Sequence, residues 1–344
     1  MTKKQFFQPA GAGRMPALLL AMALVSGASC DSCSGSRSSS AGGGSSGGGS
    51  WLVGTSALML NIDHSKLGDV GKYDLEMNDD LLGIACRGTR EAWVVGTRGL
   101  LIATGDGGVS WNVLDPGVSN TLRAVALSAP NTVLVAGDDG VARISPDAGR
   151  HWRALATPPL TWTSVSLRRS DGAVALLASS TGEIFRYDAG TGQVTQVGKA
   201  AQGGLRSIVL SRDGQNAVAV GDAGQMLVSF DGGSSFSPRA TGTEAALRDV
   251  WLIGQGGERF MAVGDGGLVL QGVAREGDVL TRSLGADVTF RALHLQGDGH
   301  GMIVGDHGAA FFTEDFGTSW TRVATGEERD ILGVDALDFG SEHY

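Results

Sequence analysis

Short apolar runs that end in glycine recur along the chain at an almost constant interval. The runs end at Gly54, Gly96, Gly137, Gly221, Gly264 and Gly305, and a seventh copy has Ala178 at this position. The period is about 42 residues, which is typical of the blades of a β-propeller, each built from four strands. The pattern therefore predicts an all-β fold of repeated four-stranded blades.

Each repeat shows the same order of elements. A first strand of mixed polarity, such as LRAVAL at 122–127, precedes the continuous apolar run. A continuous run indicates a strand that is covered on both faces, as neighbouring blades would cover it. A Gly-Asp-x-Gly turn then leads into the third strand, since glycine and aspartate tolerate the backbone of a tight hairpin.

The two ends of the chain supply complementary parts of one repeat. Residues 331–339, ILGVDALDF, match a first strand and have no second strand after them. Residues 51–60, WLVGTSALML, match a second and third strand and have no first strand before them. We predict that both termini build one blade, which closes a seven-bladed ring and removes a free sheet edge.

Four repeats carry an Asp box, a Ser/Thr-x-Asp-x-Gly-x-x-aromatic motif. The boxes have their aspartates at Asp106, Asp147, Asp231 and Asp315 and end at Trp111, Trp152, Phe236 and Trp320. The hydroxyl and the carboxylate can bond the amides of their own turn, and the glycine can adopt a positive φ. The motif thus predicts a structural turn, not a catalytic site.

Four first strands have an arginine at their start, directly after the first apolar residue, and the turns of the same four repeats contain aspartate. The pairs are Arg123 with Asp138, Arg206 with Asp222, Arg248 with Asp265, and Arg291 with Asp306. The other three repeats have Gly83, Thr163 and Gly333 at the arginine position, and Thr97, Ser179 and Thr55 in the turn. Because first strands line the channel of a propeller, the four arginines should gather at one of its mouths.

The joint presence of the two charges has two interpretations. Ion pairs within each blade would hold the hairpins in place. Alternatively, a semicircle of guanidinium groups would bind acidic side chains or a carboxylate of a partner. Both interpretations are compatible if each ion pair leaves some N–H groups of the arginine free.

The N-terminus resembles a bacterial lipoprotein signal. Lys3, Lys4 and Arg14 precede a short apolar run, and small residues lead to Cys30 in a Gly-Ala-Ser-Cys sequence similar to a lipobox. We expect a signal peptide at 1–29, lipidation of Cys30, a flexible tether at 30–50 and the propeller at 51–344. The tether is rich in serine and glycine and would reach about 25 Å.

Composition narrows the classes of function. Loss of the three signal-peptide cations makes the chain still more acidic than the formal charge of −9 for the whole sequence, which argues against nucleic acid as a partner. The histidines are scattered, so we expect no metal site. No phosphate loop or dinucleotide fingerprint is present, so we expect no cofactor. Of the three cysteines, only Cys86 lies in the predicted propeller.

The Val-Gly-Asp-x-Gly turns combined with Asp boxes over residues 51–344 resemble the photosystem II stability and assembly factor family. That family is part of the larger group of sialidase-type Asp-box propellers. The resemblance implies a non-enzymatic scaffold, monomeric, that holds an envelope protein or complex at a membrane. It also implies an inward-facing arginine patch, for which Arg123, Arg206, Arg248 and Arg291 are the candidates. The choice between inner and outer membrane stays open.

The alternative from another class is a secreted Asp-box protein that binds or hydrolyses glycans. A sialidase-like enzyme would need a tyrosine–glutamate nucleophile pair and an acidic proton donor. Only Tyr73, Tyr187 and Tyr344 follow the tether, and the sequence gives Tyr73 and Tyr187 no recurrent glutamate partner. The sequence therefore favours a binding module over an enzyme.

Overall fold

The computed structural model describes residues 6–7, 49–75, 77–254, 256–285 and 288–337. Within these residues the strands form seven antiparallel sheets. Six have four strands, and one has a fifth strand at its outer edge. The innermost strand of each sheet contacts the innermost strands of the two adjacent sheets, and the last contacts the first. The predicted seven-bladed propeller is confirmed.

Blades are numbered here in chain order, and strands are given from the channel outwards. Blade 1 comprises Leu81–Arg87, Glu91–Gly96, Leu101–Thr104 and Trp111–Val113. Blade 2 comprises Leu122–Ser128, Thr132–Gly137, Ala142–Ser145 and Arg153–Ala154. Blade 3 comprises Trp162–Leu167, Val174–Ser179, Glu183–Asp188 and Gln193–Lys199.

The remaining blades follow the same order. Blade 4 comprises Leu205–Leu210, Ala217–Gly221, Met226–Ser229 and Ser237–Pro238. Blade 5 comprises Leu247–Ile253, Arg259–Gly264, Leu268–Val273 and Val279–Ser283. Blade 6 comprises Phe290–Leu295, Gly301–Gly305, Ala310–Thr313 and Thr321–Arg322.

Blade 7 is assembled from both ends of the chain, as the sequence predicts. Its innermost strand is Ile331–Leu337, followed outwards by Gly49–Gly54, Leu58–Asp63 and Val70–Tyr73. The register pairs Gly49 with Leu337 and Gly54 with Ile331. Strand pairing thus begins at Gly49, inside the last two residues of the predicted tether.

The second strands form most of the core between blades. In Thr132–Gly137, the five residues after Thr132 are all buried, because the neighbouring blades cover both faces of the strand. Gly137 is the last residue of this strand and pairs with Leu122, the first residue of the first strand. A Cβ atom at this position would lie 1.9 Å from the carbonyl oxygen of Thr121, so only glycine fits.

The register corrects one position of the repeat alignment. Ser179 pairs with Trp162 as Gly137 pairs with Leu122. In blade 3, Ser179 and not Ala178 is therefore the residue at the position that glycine has in the other blades. The apolar run ends at Ala178 in the sequence, but the strand continues for one further buried residue.

The Asp boxes bond their own turns. In the first box, the Thr104 hydroxyl donates to Asp106 Oδ1 at 2.7 Å and accepts the Gly108 N–H at 3.0 Å. Asp106 Oδ1 also accepts the Ser110 N–H at 2.9 Å. Gly108 has a φ of 88°, and a Cβ there would lie 2.2 Å from the Trp51 ring of the preceding blade. The box therefore brings its turn into close contact with the adjacent blade.

Several N-terminal predictions lie outside the described residues. These include Cys30, the tether as far as residue 48, and the signal peptide apart from one strand. That strand, Phe6–Phe7, pairs with the outermost strand of blade 1. No helix in the described ranges has the length and apolar character needed to span a membrane.

Candidate partner-binding site

Short 3-10 turns follow the second strands at one end of the channel. In four of them the first residue is an aspartate, and the backbone N–H of this residue bonds the residue before the first strand. In blade 2, the Asp138 N–H donates to the Thr121 carbonyl oxygen at 3.0 Å. The turn is thereby fixed beside the start of the first strand, where Arg123 lies.

The structure forms the ion pair predicted in each of these four blades. In every pair, arginine Nε and Nη2 donate to the two oxygens of one carboxylate, the two-pronged geometry that makes such pairs strong. The two distances are 2.6 and 3.1 Å for Arg123–Asp138, 2.9 and 2.8 Å for Arg206–Asp222, 2.8 and 2.8 Å for Arg248–Asp265, and 2.6 and 3.2 Å for Arg291–Asp306. We call this end of the channel the arginine mouth.

These pairs leave part of each guanidinium unused. The four arginine side chains are 24 to 41% exposed and line the channel opening. Each aspartate bonds the edge of the guanidinium group formed by Nε and Nη2. Within the described ranges, the Nη1 atoms of these four arginines donate no hydrogen bond. The arginine mouth thus combines internal ion pairs with free guanidinium donors.

Adjacent pairs act on one another electrostatically. The hydrogen bonds that Arg248 donates to Asp265 are the main cause that raises the pKa of Arg248, and the charges of Asp222 and Asp306 in the neighbouring blades add to it. The hydrogen bond from Arg206 lowers the pKa of Asp222, with a smaller contribution from the charge of Arg248. Blades 4, 5 and 6 therefore carry one coupled set of charges.

The strand register corrects which residues of the other three blades occupy the position equivalent to the four arginines. The first strands have an irregularity after their first residue, so Leu82 and Leu332 occupy the arginine position, and Gly83 and Gly333 lie one residue further. Thr163 does occupy this position in blade 3. Since Ser179 belongs to the strand, Ser180 takes the place of the turn aspartate there; its N–H bonds the Thr161 carbonyl as Asp138 bonds that of Thr121.

The pairs do not form an even semicircle. Three lie in the consecutive blades 4, 5 and 6, and the fourth, Arg123–Asp138, lies in blade 2 beyond the uncharged Thr163 of blade 3. The channel opening inside this ring is narrow, with a volume of about 180 Å³. It is large enough for a side chain or a chain end, not for a folded segment.

Comparison with known proteins agrees with this geometry. Residues 63–243, more than half of the chain, match the model of the family described as photosynthesis system II assembly factor YCF48. The chain belongs to the YCF48 family. No curated protein matches it by sequence.

Solved structures similar to this YCF48-family chain share its fold. A structure described as YCF48 bound to D1 peptide is 20% identical with a TM-score of 0.55, over 70% of this chain and 81% of that one. YCF48 from Cyanidioschyzon merolae is 18% identical with a TM-score of 0.60, over 74% and 88%. The WD40 propeller domain of Doa1 is 15% identical with a TM-score of 0.63, over 75% and 86%.

Polar residues in the first strands form a second set of contacts, which the sequence analysis missed. The free edge of an innermost strand exposes backbone N–H groups that its own sheet cannot bond. In this chain, side-chain oxygens of the preceding blade accept hydrogen bonds from these N–H groups. The acceptor and donor atoms are Ser164 Oγ and Ile208 N, Ser166 Oγ and Leu210 N, Asp249 Oδ2 and Leu293 N, and Asp335 Oδ2 and Cys86 N.

Asp249 has the most unusual environment in this set. Its carboxylate also accepts hydrogen bonds from the Ser207 hydroxyl at 2.6 Å and from the Val250 N–H at 2.9 Å. Burial nevertheless raises its pKa to about 6. The signal in the sequence was an aspartate directly after Arg248 in a strand, Leu247–Ile253, that is otherwise apolar, a position that requires bonded partners.

Neither Tyr73 nor Tyr187, the two tyrosines within the described residues, is hydrogen-bonded to a glutamate as a sialidase nucleophile would be. Tyr187 is fully buried, and its hydroxyl accepts a hydrogen bond from Arg153. The ring of Tyr73 packs against Trp51, with the ring centres 4.8 Å apart. Both side chains are used in packing between strands.

Proposed function

We propose that the chain is a non-enzymatic, membrane-tethered assembly factor of the bacterial envelope. In this proposal it binds an acidic peptide segment or chain end of an envelope protein at the arginine mouth. The observation that carries the proposal is the unused Nη1 donor on Arg206, Arg248 and Arg291. Three such groups lie on consecutive blades, and the planar guanidinium of each is suited to binding a carboxylate.

Two further observations support this assignment. The aspartate partners hold the guanidinium groups in place before binding, which lowers the entropy lost when a ligand is bound. A similar propeller, 20% identical, has been solved with a D1 peptide bound to it. For this chain, a peptide ligand is part of the proposal.

The membrane part of the proposal rests on the N-terminal sequence. Cys30 follows a run of small residues after a short apolar segment, and the serine- and glycine-rich stretch after it suits a flexible tether. Lipidation at Cys30 would keep the propeller within about 25 Å of a membrane surface. The partner would then be a membrane or envelope protein.

Affinity purification from crosslinked membranes tests the proposal. The comparison is between the wild type and the triple variant Arg206→Gln, Arg248→Gln and Arg291→Gln, with captured proteins identified by mass spectrometry. We expect one envelope protein or complex to be captured by the wild type and lost with the triple variant.

Arg168→Gln is the matched control. Arg168 makes the same two-pronged pair with Asp171, at 2.8 and 2.7 Å, outside the arginine mouth. This variant should capture the partner as the wild type does. Equal loss in the control, or unchanged capture by the triple variant, would contradict binding at the arginine mouth.

A further inference from the structure

The end of the channel opposite the arginine mouth opens into a larger cavity. All first strands run in the same direction along the channel, so their last residues and the following hairpins surround this second opening. The cavity has a volume of about 620 Å³. This is within the range of about 300–1,000 Å³ that pockets for small molecules have. We call it the hairpin-side cavity.

Its wall is largely apolar. Leu127, Val209, Trp251, Ile253 and Phe316 line it. Trp251 is partly exposed to the cavity, and the centre of its ring lies 4.6 Å from that of His294. A flat aromatic wall beside aliphatic side chains fits an apolar ligand body, aromatic or aliphatic.

The charges around the cavity are mainly positive. Its lining includes four arginines, Arg87, Arg169, Arg212 and Arg259, and one carboxylate, Asp335. Arg87 is already paired with Glu91 through Nε and Nη2. A negatively charged ligand would therefore meet a favourable electrostatic field at this opening.

Arg169 is the arginine best placed to bind such a ligand. Its guanidinium carbon lies 5.8 Å from the centre of the Trp251 ring, and the side chain is exposed. In the described part of the chain, no ion pair involves Arg169, unlike every arginine of the arginine mouth. The cation thus stands directly beside the apolar wall.

Asp335, the carboxylate of the lining, is already hydrogen-bonded within the protein. Its Oδ2 accepts the Cys86 N–H at 2.7 Å, and its Oδ1 accepts the Ala336 N–H at 2.8 Å. His294 Nδ1 lies 2.7 Å from Oδ1. Asp335 is buried and both of its oxygens are bonded within the protein, whereas Arg169 is exposed.

We propose that the hairpin-side cavity binds a small hydrophobic anion, an apolar body that carries one carboxylate or sulfonate. The apolar body lies against Trp251, and the anion is bound by Arg169. The site is separate from the arginine mouth and does not depend on the function assigned there.

The test uses two fluorescent probes with the same aromatic body. One is 8-anilinonaphthalene-1-sulfonate, and the other is N-phenyl-1-naphthylamine, which lacks the sulfonate. We expect saturable binding of the sulfonate probe, with an affinity at least tenfold higher than that of the neutral probe. Arg169→Gln should weaken only the sulfonate probe, about tenfold, and Arg169→Lys should retain most of its affinity.

Arg275→Gln is the control, because Arg275 lies 4.3 Å over the ring of Phe230, away from the cavity. It should leave both probes unchanged. Trp251→Leu should weaken both probes, with folding checked by thermal unfolding. Equal binding of the two probes, loss of binding in Arg275→Gln, or sulfonate binding unaffected by Arg169→Gln would overturn the proposal.

Competition distinguishes the source of the natural anion. Displacement of the sulfonate probe by decanoate but not by decanol assigns the site to a free carboxylate. Displacement by an apolar peptide with a free carboxyl terminus, and not by its amide, assigns it to a chain end. Displacement by the uncharged competitors alone contradicts recognition of an anion.

Discussion

Arg206 and Asp222 face each other side-on across the start of blade 4. Nε donates to Oδ1 at 2.9 Å and Nη2 donates to Oδ2 at 2.8 Å, while the Gly204 N–H donates to the same Oδ2 at 3.0 Å. The side chains are 35% and 29% exposed. The pair is therefore partly screened by water, and its contribution to stability is moderate.

A double-mutant cycle measures this contribution. Arg206→Ala and Asp222→Ala should each lower the free energy of unfolding, and their coupling should be about 1 kcal/mol, near the upper end for exposed pairs. Chemical denaturation of the four proteins gives the value. The cycle of Arg206→Ala with Asp138→Ala, from a different pair, should show no coupling. Zero coupling between Arg206 and Asp222 would contradict a structural role for the pair.

Closure of the ring depends on the C-terminal strand. Deletion of residues 331–344 removes the innermost strand of blade 7, including the buried Ile331, Val334 and Leu337. It also leaves Gly49–Gly54 with an unpaired edge. We expect loss of the cooperative thermal transition in circular dichroism. Deletion of residues 338–344 alone is the control and should keep it. A sharp transition in the longer deletion would show that the ring closes without this strand.

The raised pKa of Asp249 predicts an unusual dependence of stability on pH. Aspartate in the unfolded chain titrates near pH 3.9, whereas burial raises the pKa of Asp249 to about 6 in the folded protein. The folded state holds this proton more tightly. Its stabilising effect is therefore complete below about pH 4 and is lost as the pH rises through about 6.

The measurement compares wild type and Asp249→Asn from pH 3.5 to 7. Relative to the variant, the wild type should lose free energy of unfolding as the pH rises from about 4 to about 6. His64, whose pKa is lowered to about 4 by burial and then by the charge of His300, is present in both proteins and cancels in the difference. The exposed Asp139→Asn change serves as the control. Parallel profiles for wild type and Asp249→Asn would refute the prediction.

Lipidation at Cys30 is tested by partitioning in a detergent that separates into two phases. The wild type, expressed with its full N-terminus, should enter the detergent phase, because an acyl chain adds a large apolar surface. Cys30→Ala should move to the aqueous phase. Cys33→Ala, three residues further along, should behave as the wild type does. If Cys30→Ala also stays with the detergent, the lipobox assignment is wrong.

The sequence predicted the blades because the repeat fixes them locally. Each apolar run, turn and Asp box carries enough information to identify its strands, and the complementary ends of the chain indicated blade 7. The Arg–Asp pairs were also predictable, since the two charges appear and disappear together. In blades 1 and 7 the predicted equivalents of the arginines, Gly83 and Gly333, were displaced by one residue, because no charged side chain marks the irregular position after Leu81 and Ile331.

Contacts between blades were not predictable in the same way. Asp249 bonds Leu293, and Asp335 bonds Cys86 across the join of the two chain ends. The first two partners are 44 residues apart and the second two are 249 residues apart, so no local pattern connects them. The hairpin-side cavity was missed for the same reason, as Arg169 and Trp251 come from blades that are not adjacent.

The pairing of Gly49 with Leu337 also determines where the chain leaves the propeller. The first strand of blade 7 ends, and its second strand begins, at the side of the hairpin-side cavity. A lipid anchor at Cys30, on a tether of about 25 Å, would attach at this side. The point of attachment would then lie on the side of the hairpin-side cavity, and Arg206, Arg248 and Arg291 would lie at the opposite end of the channel.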